Sequence, residues 1–302
     1  MSPAPRKPGP PPRPQGGLGE FFIRRRSGLS AVAVLVAAGV AGGFLWQRFG
    51  GDVRSGEGYT LEPEAVRVEG VPPWVKADLR AEALRDASLD KPLPLDDPDL
   101  ETRLARAFDL HPWVRRVIEV RVESPPRALV VVDCREPVAM VRVPPGPLGE
   151  GGLLPVDGEG FVLPIGDFTR EEAATYPVIA GIRSLPRGPQ GSEWGDPAVG
   201  EAAAVVSLVR PEWEPLRLSE CRLRERSGRR EWDLVGEGAG LIRFGSAPGG
   251  EAAGEPGAAA KLAALKRIAA DGPAGETLDL RDLAREAARS GRPEVIDDTE
   301  SP

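Results

Sequence analysis

Histidine is almost missing from this chain: His111 stands alone among 302 residues. A His-rich metal site is therefore excluded, and a Ser-His-Asp or Cys-His nucleophile would have to be built on that one imidazole. Cysteine is nearly as scarce, with only Cys134 and Cys221. Two thiols are too few for a disulfide-stapled scaffold, and they make no four-ligand zinc site without His111. Whether they pair with each other is left open. Basic charge is also in deficit, with 39 Lys+Arg against 46 Asp+Glu, and a net charge of -7 argues against nucleic-acid binding. No catalytic, cofactor-binding or metal-ligating set emerges, so the chain is expected to be a non-enzymatic protein without cofactors.

What is present can fold. The 41% apolar and 28% charged residues of a chain this long suffice for roughly two domains of ~100–200 residues each. The charge is unevenly spread. Residues 1–27 carry Arg6, Lys7, Arg13, Arg24, Arg25 and Arg26 against Glu20, a net +5, which leaves -12 for the remainder. Seven prolines within residues 3–14 mark this tail as an extended spacer. Leu29 to Trp46 then runs eighteen residues without a charge. At ~1.5 Å per residue it approaches a hydrocarbon core of ~30 Å. A transmembrane helix is expected over 28–49, with the basic N-terminus cytoplasmic and the bulk across the membrane. A cleaved signal ending near Ala41-Gly42-Gly43 is the rival reading.

Beyond a linker over 50–60, Val66 to Gly70 alternates as a strand, and residues 74–87 repeat Val75, Leu79 and Ala83 at helical spacing. Asp97 and Pro98 open a second helix whose apolar face is Leu100, Leu104, Ala107 and Phe108. Strict alternation from Val114 to Glu123 predicts a strand with Val114, Arg116, Ile118, Val120 and Val122 on one face. Ala128 to Asp133 is a nearly unbroken apolar strand. The order is β-α-α-β-β over 61–136, a small sheet with two helices on one face. Over 137–285 the pattern is mixed and mainly β: a hairpin around Asp157-Gly158, a helix over 197–209 capped by Asp196, strands near 216–225, 230–235 and 240–244, a helix over 257–270, and a strand at Thr277–Arg281. Residues 282–290 are expected to be helical, and 286–302 to be a disordered acidic tail. The fold class expected is thus α+β.

Candidate sites are few. His111, before Pro112-Trp113, suits a loop or capping role. Asp96, Asp97 and Asp99 suit helix capping rather than a cation, and Gly236 to Gly240 suits a hairpin turn rather than a phosphate loop. Arg222, Arg224 and Arg226 alternate along one strand and form a possible patch for an acidic partner, unless Glu220 and Glu225 balance it. Two strands are candidate open edges for strand addition, Ala128–Asp133 and Thr277–Arg281. On the second, Thr277, Leu278, Asp279, Leu280 and Arg281 are the candidate partner-binding residues, and proline at Leu280 is expected to abolish capture while sparing the fold.

Taken in order, these segments resemble the bacterial cell division family FtsQ/DivIB. The stretch His111-Pro112-Trp113-Val114 through Arg135-Glu136-Pro137-Val138-Ala139 carries most of the likeness. Val66 to Gly70, Leu154 to Val162, Tyr176 to Gly181 and Thr277 to Arg281 are similar to further family segments in the same order. The resemblance spans about residues 20–282. It implies a POTRA domain over 61–136, the family's β domain after it, and placement in the bacterial inner membrane at the division septum. It also implies a non-catalytic scaffold that recruits septal peptidoglycan synthesis machinery, with the C-terminal strand taking small coiled-coil proteins of the FtsB and FtsL type. The family usually continues past Asp-Leu-Arg with a polar turn and a further strand, where this chain has Asp282 to Ser290. A POTRA-bearing secretion or envelope-assembly component is the alternative, and an exported hydrolase is disfavoured by the lone histidine.

Overall fold

The computed structural model describes residues 39–40, 59–145, 151–226, 228–237, 240–271 and 277–285. The chain divides into two units, residues 1–60 and 61–302. Of the first, Gly39 and Val40 are helical and exposed. The rest of the expected membrane helix over 28–49, the Pro-rich tail and most of the linker lie outside the described residues, as does the acidic tail. Among the described residues no helix is long and apolar enough to cross a membrane. That finding corrects the expected single-pass fold and, with it, the transmembrane character and the inner-membrane placement. The longest described helix has 17 residues, about 26 Å at ~1.5 Å per residue, and its apolar face is spent on a sheet.

Besides a short two-stranded pairing that includes Leu93–Pro94, the second unit contains two larger sheets. The first is built from β1 (Val66–Glu69), α1 (Leu79–Asp86), α2 (Leu100–Asp109), β2 (Val114–Glu123) and β3 (Arg127–Cys134). Its strand order is β1-β3-β2, with β1 parallel and β2 antiparallel to β3. Asp78 starts α1 by accepting the Ala81 N–H at 3.0 Å. Asp97 accepts the Asp99 N–H and pairs with Arg103, which fixes the entry to α2. Leu84, Leu104, Phe108 and Trp113 are buried with Val130 and Val132 against the sheet. The order β-α-α-β-β is therefore the observed one, but Ala128–Asp133 is not an edge. It lies within β3, between two neighbouring strands, with Ala128, Val130 and Val132 buried toward the helices and the alternate Leu129 and Val131 half-buried on the other face. The alternation read along β2 also changes phase. Register shifts between Val114 and Arg116 and between Val117 and Glu119 bring Val117 onto the core and leave Ile118 60% exposed.

The second sheet uses β4 (Pro137–Val143), β5 (Gly152–Asp157), α3 (Arg170–Thr175), β6 (Val178–Ala180), α4 (Pro197–Trp213), β7 (Leu218–Arg226), β8 (Arg229–Gly236), β9 (Gly240–Gly245), α5 (Ala258–Asp271) and β10 (Leu278–Asp279). Its seven strands run β10-β9-β8-β7-β6-β4-β5. The meander β7-β8-β9 is antiparallel, whereas the β4–β6, β6–β7 and β9–β10 pairs are parallel. Asp196 caps α4 through the Ala198 N–H, and Val199, Ala202, Val206 and Val209 of α4 bury against Trp232, Leu234 and Phe244. The hairpin read at Asp157-Gly158 is reduced to a short return: β5 pairs along its length with β4, and the segment after the turn adds the Val156–Val162 bridge with the Phe161 carbonyl accepting the Asp157 N–H and the Pro155 carbonyl accepting the Leu163 N–H. Helix α3, with its reciprocal Thr169–Glu172 capping box, was not read from the sequence.

The sheets meet at Arg135. Its backbone N–H donates to the Trp113 carbonyl (2.8 Å) and its carbonyl accepts the Trp74 indole N–H (3.0 Å). Its guanidinium pairs with Asp157 at 2.7 Å and lies 3.6 Å from the centre of the Phe161 ring. The other Asp157 oxygen accepts the amides of Glu159 and Phe161. Arg135 and Asp157 are 8% and 5% exposed, so truncating one strands the other as a buried charge. Arg135→Met is expected to cost about 3–5 kcal/mol in urea unfolding, and the double change Arg135→Met/Asp157→Leu to recover most of that loss.

Candidate functional site: the open sheet edges

Terminal strands present backbone groups that another chain can extend, so their flanks decide where a partner strand is admitted. Two of the four termini are blunted by the chain itself. On β2, the Val117 and Val122 amides donate to Asp109 (3.1 Å) and Glu101 (3.0 Å) of α2. On β5, Pro155 accepts the Leu163 N–H at 2.9 Å beside the Val156–Val162 bridge. The other two termini are β1 and β10.

Of Thr277 to Arg281, expected as one strand, only Leu278 and Asp279 form β10, the last strand of the larger sheet; Thr277 precedes it, and Leu280 and Arg281 lie in the turn that follows. They divide by face. Leu278 and Leu280 enter the core with Ile242 and Leu265. Asp279 and Arg281 point to the opposite face, where Arg281 donates to both Asp279 oxygens (2.8 and 2.6 Å) and to Glu231 (2.9 Å). Burial works to raise the Asp279 pKa, but hydrogen bonds from Arg281 and the charges of Arg281 and Arg243 outweigh it and hold the carboxyl below its ordinary range. Thr277 is exposed. The Leu280 N–H donates to the Arg243 carbonyl at 3.0 Å, and its side chain is fully buried. A proline there removes a ladder bond and disturbs a core side chain, so the expectation that it spares the fold is corrected. Past the strand, residues 283–285 are helical; the remainder of the helix expected over 282–290 lies outside the described residues.

The arginine ladder expected on β7 is placed on the sheet face away from α4, and two of its members are already engaged. Arg222 pairs with Glu220 at 2.9 Å; Arg224 pairs with Glu231 at 2.9 Å and lies 3.4 Å from Asp233. Arg142 shares Glu220 at 3.1 Å. Burial pushes the Asp233 pKa up against the opposing charges of Arg224 and Arg243. Arg226 lies directly across from Arg229 at the hairpin end. Glu231, which joins Arg224 to Arg281, was missed in the sequence because Arg281 lies 50 positions away and only the folded sheet brings the three together.

A second cluster buttresses β10 from behind. Glu255 accepts the Ser246 N–H and hydroxyl (both 2.7 Å), the Ala252 N–H (2.9 Å) and the Lys261 ammonium (2.7 Å). Lys261 is fully buried and lies 4.6 Å from the centre of the Phe244 ring. Glu255 and Arg281 both close over Gly245, whose φ is +87°; a methyl there would meet Glu255 Oε1 at 2.2 Å and Arg281 Cγ at 2.7 Å.

The remaining sequence candidates have structural partners. His111 is 5% exposed, accepts the Trp113 N–H at 3.3 Å and lies 3.3 Å from Glu82. Cys134 and Cys221 are free thiols in different sheets, and burial pushes the Cys134 pKa up to about 11. Among the described residues no group of His, Cys, Asp or Glu is arranged to hold a metal ion. No family model matches the chain, and no curated protein matches it either.

Glu255 sets a pH dependence. Burial alone would raise its pKa; the Ala252 amide, Lys261 and Ser246 outweigh that and lower it from an ordinary 4.5 to about 2. A carboxyl whose folded pKa is depressed contributes stability above its unfolded value and loses it as pH falls through the folded one. The stability advantage of the wild type over Glu255→Gln is therefore expected to be full above pH 4.5 and to vanish as pH falls toward about 2, read by thermal unfolding of both proteins across that range.

Proposed function

We propose that this protein is a non-catalytic scaffold that recruits and regulates septal peptidoglycan synthesis machinery in bacterial cell division, through strand addition at β10. The observation that supports the reading is the build of β10. It is a terminal strand of two residues, fixed from inside by Leu278 and Leu280 and from outside by the Arg281 clamp, with Thr277 exposed at its start. A strand held on both faces can be extended without first being ordered, which lowers the entropic cost of capture. Coiled-coil proteins of the FtsB and FtsL type are the partners this reading names, each supplying a short extended segment beside its helix.

The test is capture of those two proteins by the full chain. By period-two alternation from the inward-donating Leu280 amide, the Thr277 backbone lies on the side away from β9. Thr277→Pro is expected to reduce capture at least about tenfold, the equivalent of ~1.4 kcal/mol, while its far-ultraviolet circular dichroism stays that of the wild type. Depleting the protein in its host is expected to yield filamentous, undivided cells. Capture at wild-type strength by Thr277→Pro, or normal division on depletion, overturns the reading.

A further inference from the structure

We infer that β1 pairs with the β1 strand of a second copy of this chain, antiparallel and centred on Val68. The inference is independent of the reading above, because it concerns the other sheet and a different partner.

β1 ends the three-stranded sheet, with β3 on its inner side. Its outer side is bordered by a groove of about 470 Å³ lined by the strand itself, by Val71 and by residues 77–80 at the start of α1. The strand reads Val66-Arg67-Val68-Glu69. Val66 is buried and Val68 half-buried toward the helices, while Arg67 and Glu69 are exposed on the other face. Most strand charges elsewhere are paired, the β7–β8 hairpin end with Glu225, Arg226 and Arg229 apart. On β2 and β3, Arg116, Arg121 and Arg127 each have a carboxylate partner, and on the larger sheet so do Arg142, Arg222, Arg224 and Arg281. Arg67 and Glu69 have no ion pair among the described residues.

Opposite charges two positions apart on an edge strand are self-complementary in one arrangement. Antiparallel pairing about Val68 sets Arg67 of each copy against Glu69 of the other, giving two ion pairs around one twofold axis. The same register sets Val66 against Gly70 and Ala65 against Val71, which is 40% exposed. The alternatives are penalised. Centring on Arg67 or Glu69 opposes like charges, as does in-register parallel pairing, and a one-residue slip turns the apolar face outward. Charge and pattern therefore select a single register. The surface so formed is small, so the dimer is a weak and concentration-dependent one.

The experiment is sedimentation of the full chain across micromolar to millimolar concentrations. The wild type is expected to shift from monomer to dimer. Arg67→Glu and Glu69→Arg, each alone, place like charges across the axis and are expected to weaken dimerisation by about tenfold or more. An equimolar mixture of the two single variants restores opposite-charge pairs and is expected to associate again, as is the double variant R67E/E69R. Recovery in the mixture also shows that neither variant is misfolded. Thr277→Pro, which tests β10, is expected to dimerise like the wild type. A wild type that stays monomeric throughout, single reversals that associate undiminished, or a mixture that associates no better than its components would each overturn the inference.

Discussion

The Arg135–Asp157 ion pair is the constraint on which the placement of the two sheets depends. It joins the residue that follows β3 to the last residue of β5, and both charges are almost wholly withdrawn from water. Such a pair gives little net stability by itself, since desolvation consumes most of the attraction. Its value lies in specificity. Every remaining polar contact at the junction is directional: the Trp74 indole on the Arg135 carbonyl, the Trp113 indole on Asp167 at 2.8 Å, and Asp157 on two turn amides. Asp167 also accepts the Lys76 amide at 3.1 Å, so the loop before α1 is held to the segment before α3. Apolar contact alone would let the sheets slide; these bonds allow one relative position.

With the sheets fixed, the chain has to manage four terminal strands. It blunts β2 with carboxylates from α2 and β5 with its own return segment. Both devices place hydrogen-bonding groups where an incoming strand would otherwise bond. β10 is treated in another way. Its two residues are too few to template aggregation, Leu278 and the following Leu280 are committed to the core, and Asp279 is neutralised by Arg281 and Arg243.

Much of this architecture was legible from local pattern. Asp196-Pro197 marks the start of α4, the apolar period of Leu100, Leu104 and Phe108 marks α2, and turn residues separate β7, β8 and β9. These signals act over a few residues, and the structure honours them. What was not legible is set by partners far apart in sequence. Nothing near Arg135 announces that Asp157, 22 positions on, will be its counter-ion. Strict alternation along Val114–Glu123 conceals two register shifts, because a shift is decided by the neighbouring strand. The central position of β3 did have a signal, its lack of polar alternation, and the Thr169–Glu172 capping box had one in its spacing. The membrane helix expected from the apolar run is the reading that the described helices do not sustain.

The two termini that no described residue caps obey different rules of selectivity, and the difference follows from where the charge is spent. On β10, Asp279 and Arg281 are satisfied by each other and by Glu231, so an added strand gains little from matching their charge. Discrimination there has to come from backbone register and from how the newcomer's side chains fit beside the buried leucines. On β1, Arg67 and Glu69 are uncommitted, so an added strand is sorted by the sign and spacing of its own charges, and register is fixed with it. An edge of the first kind tolerates varied sequences of suitable shape. An edge of the second kind rejects all but a complementary pattern, and the pattern nearest to hand is the strand's own.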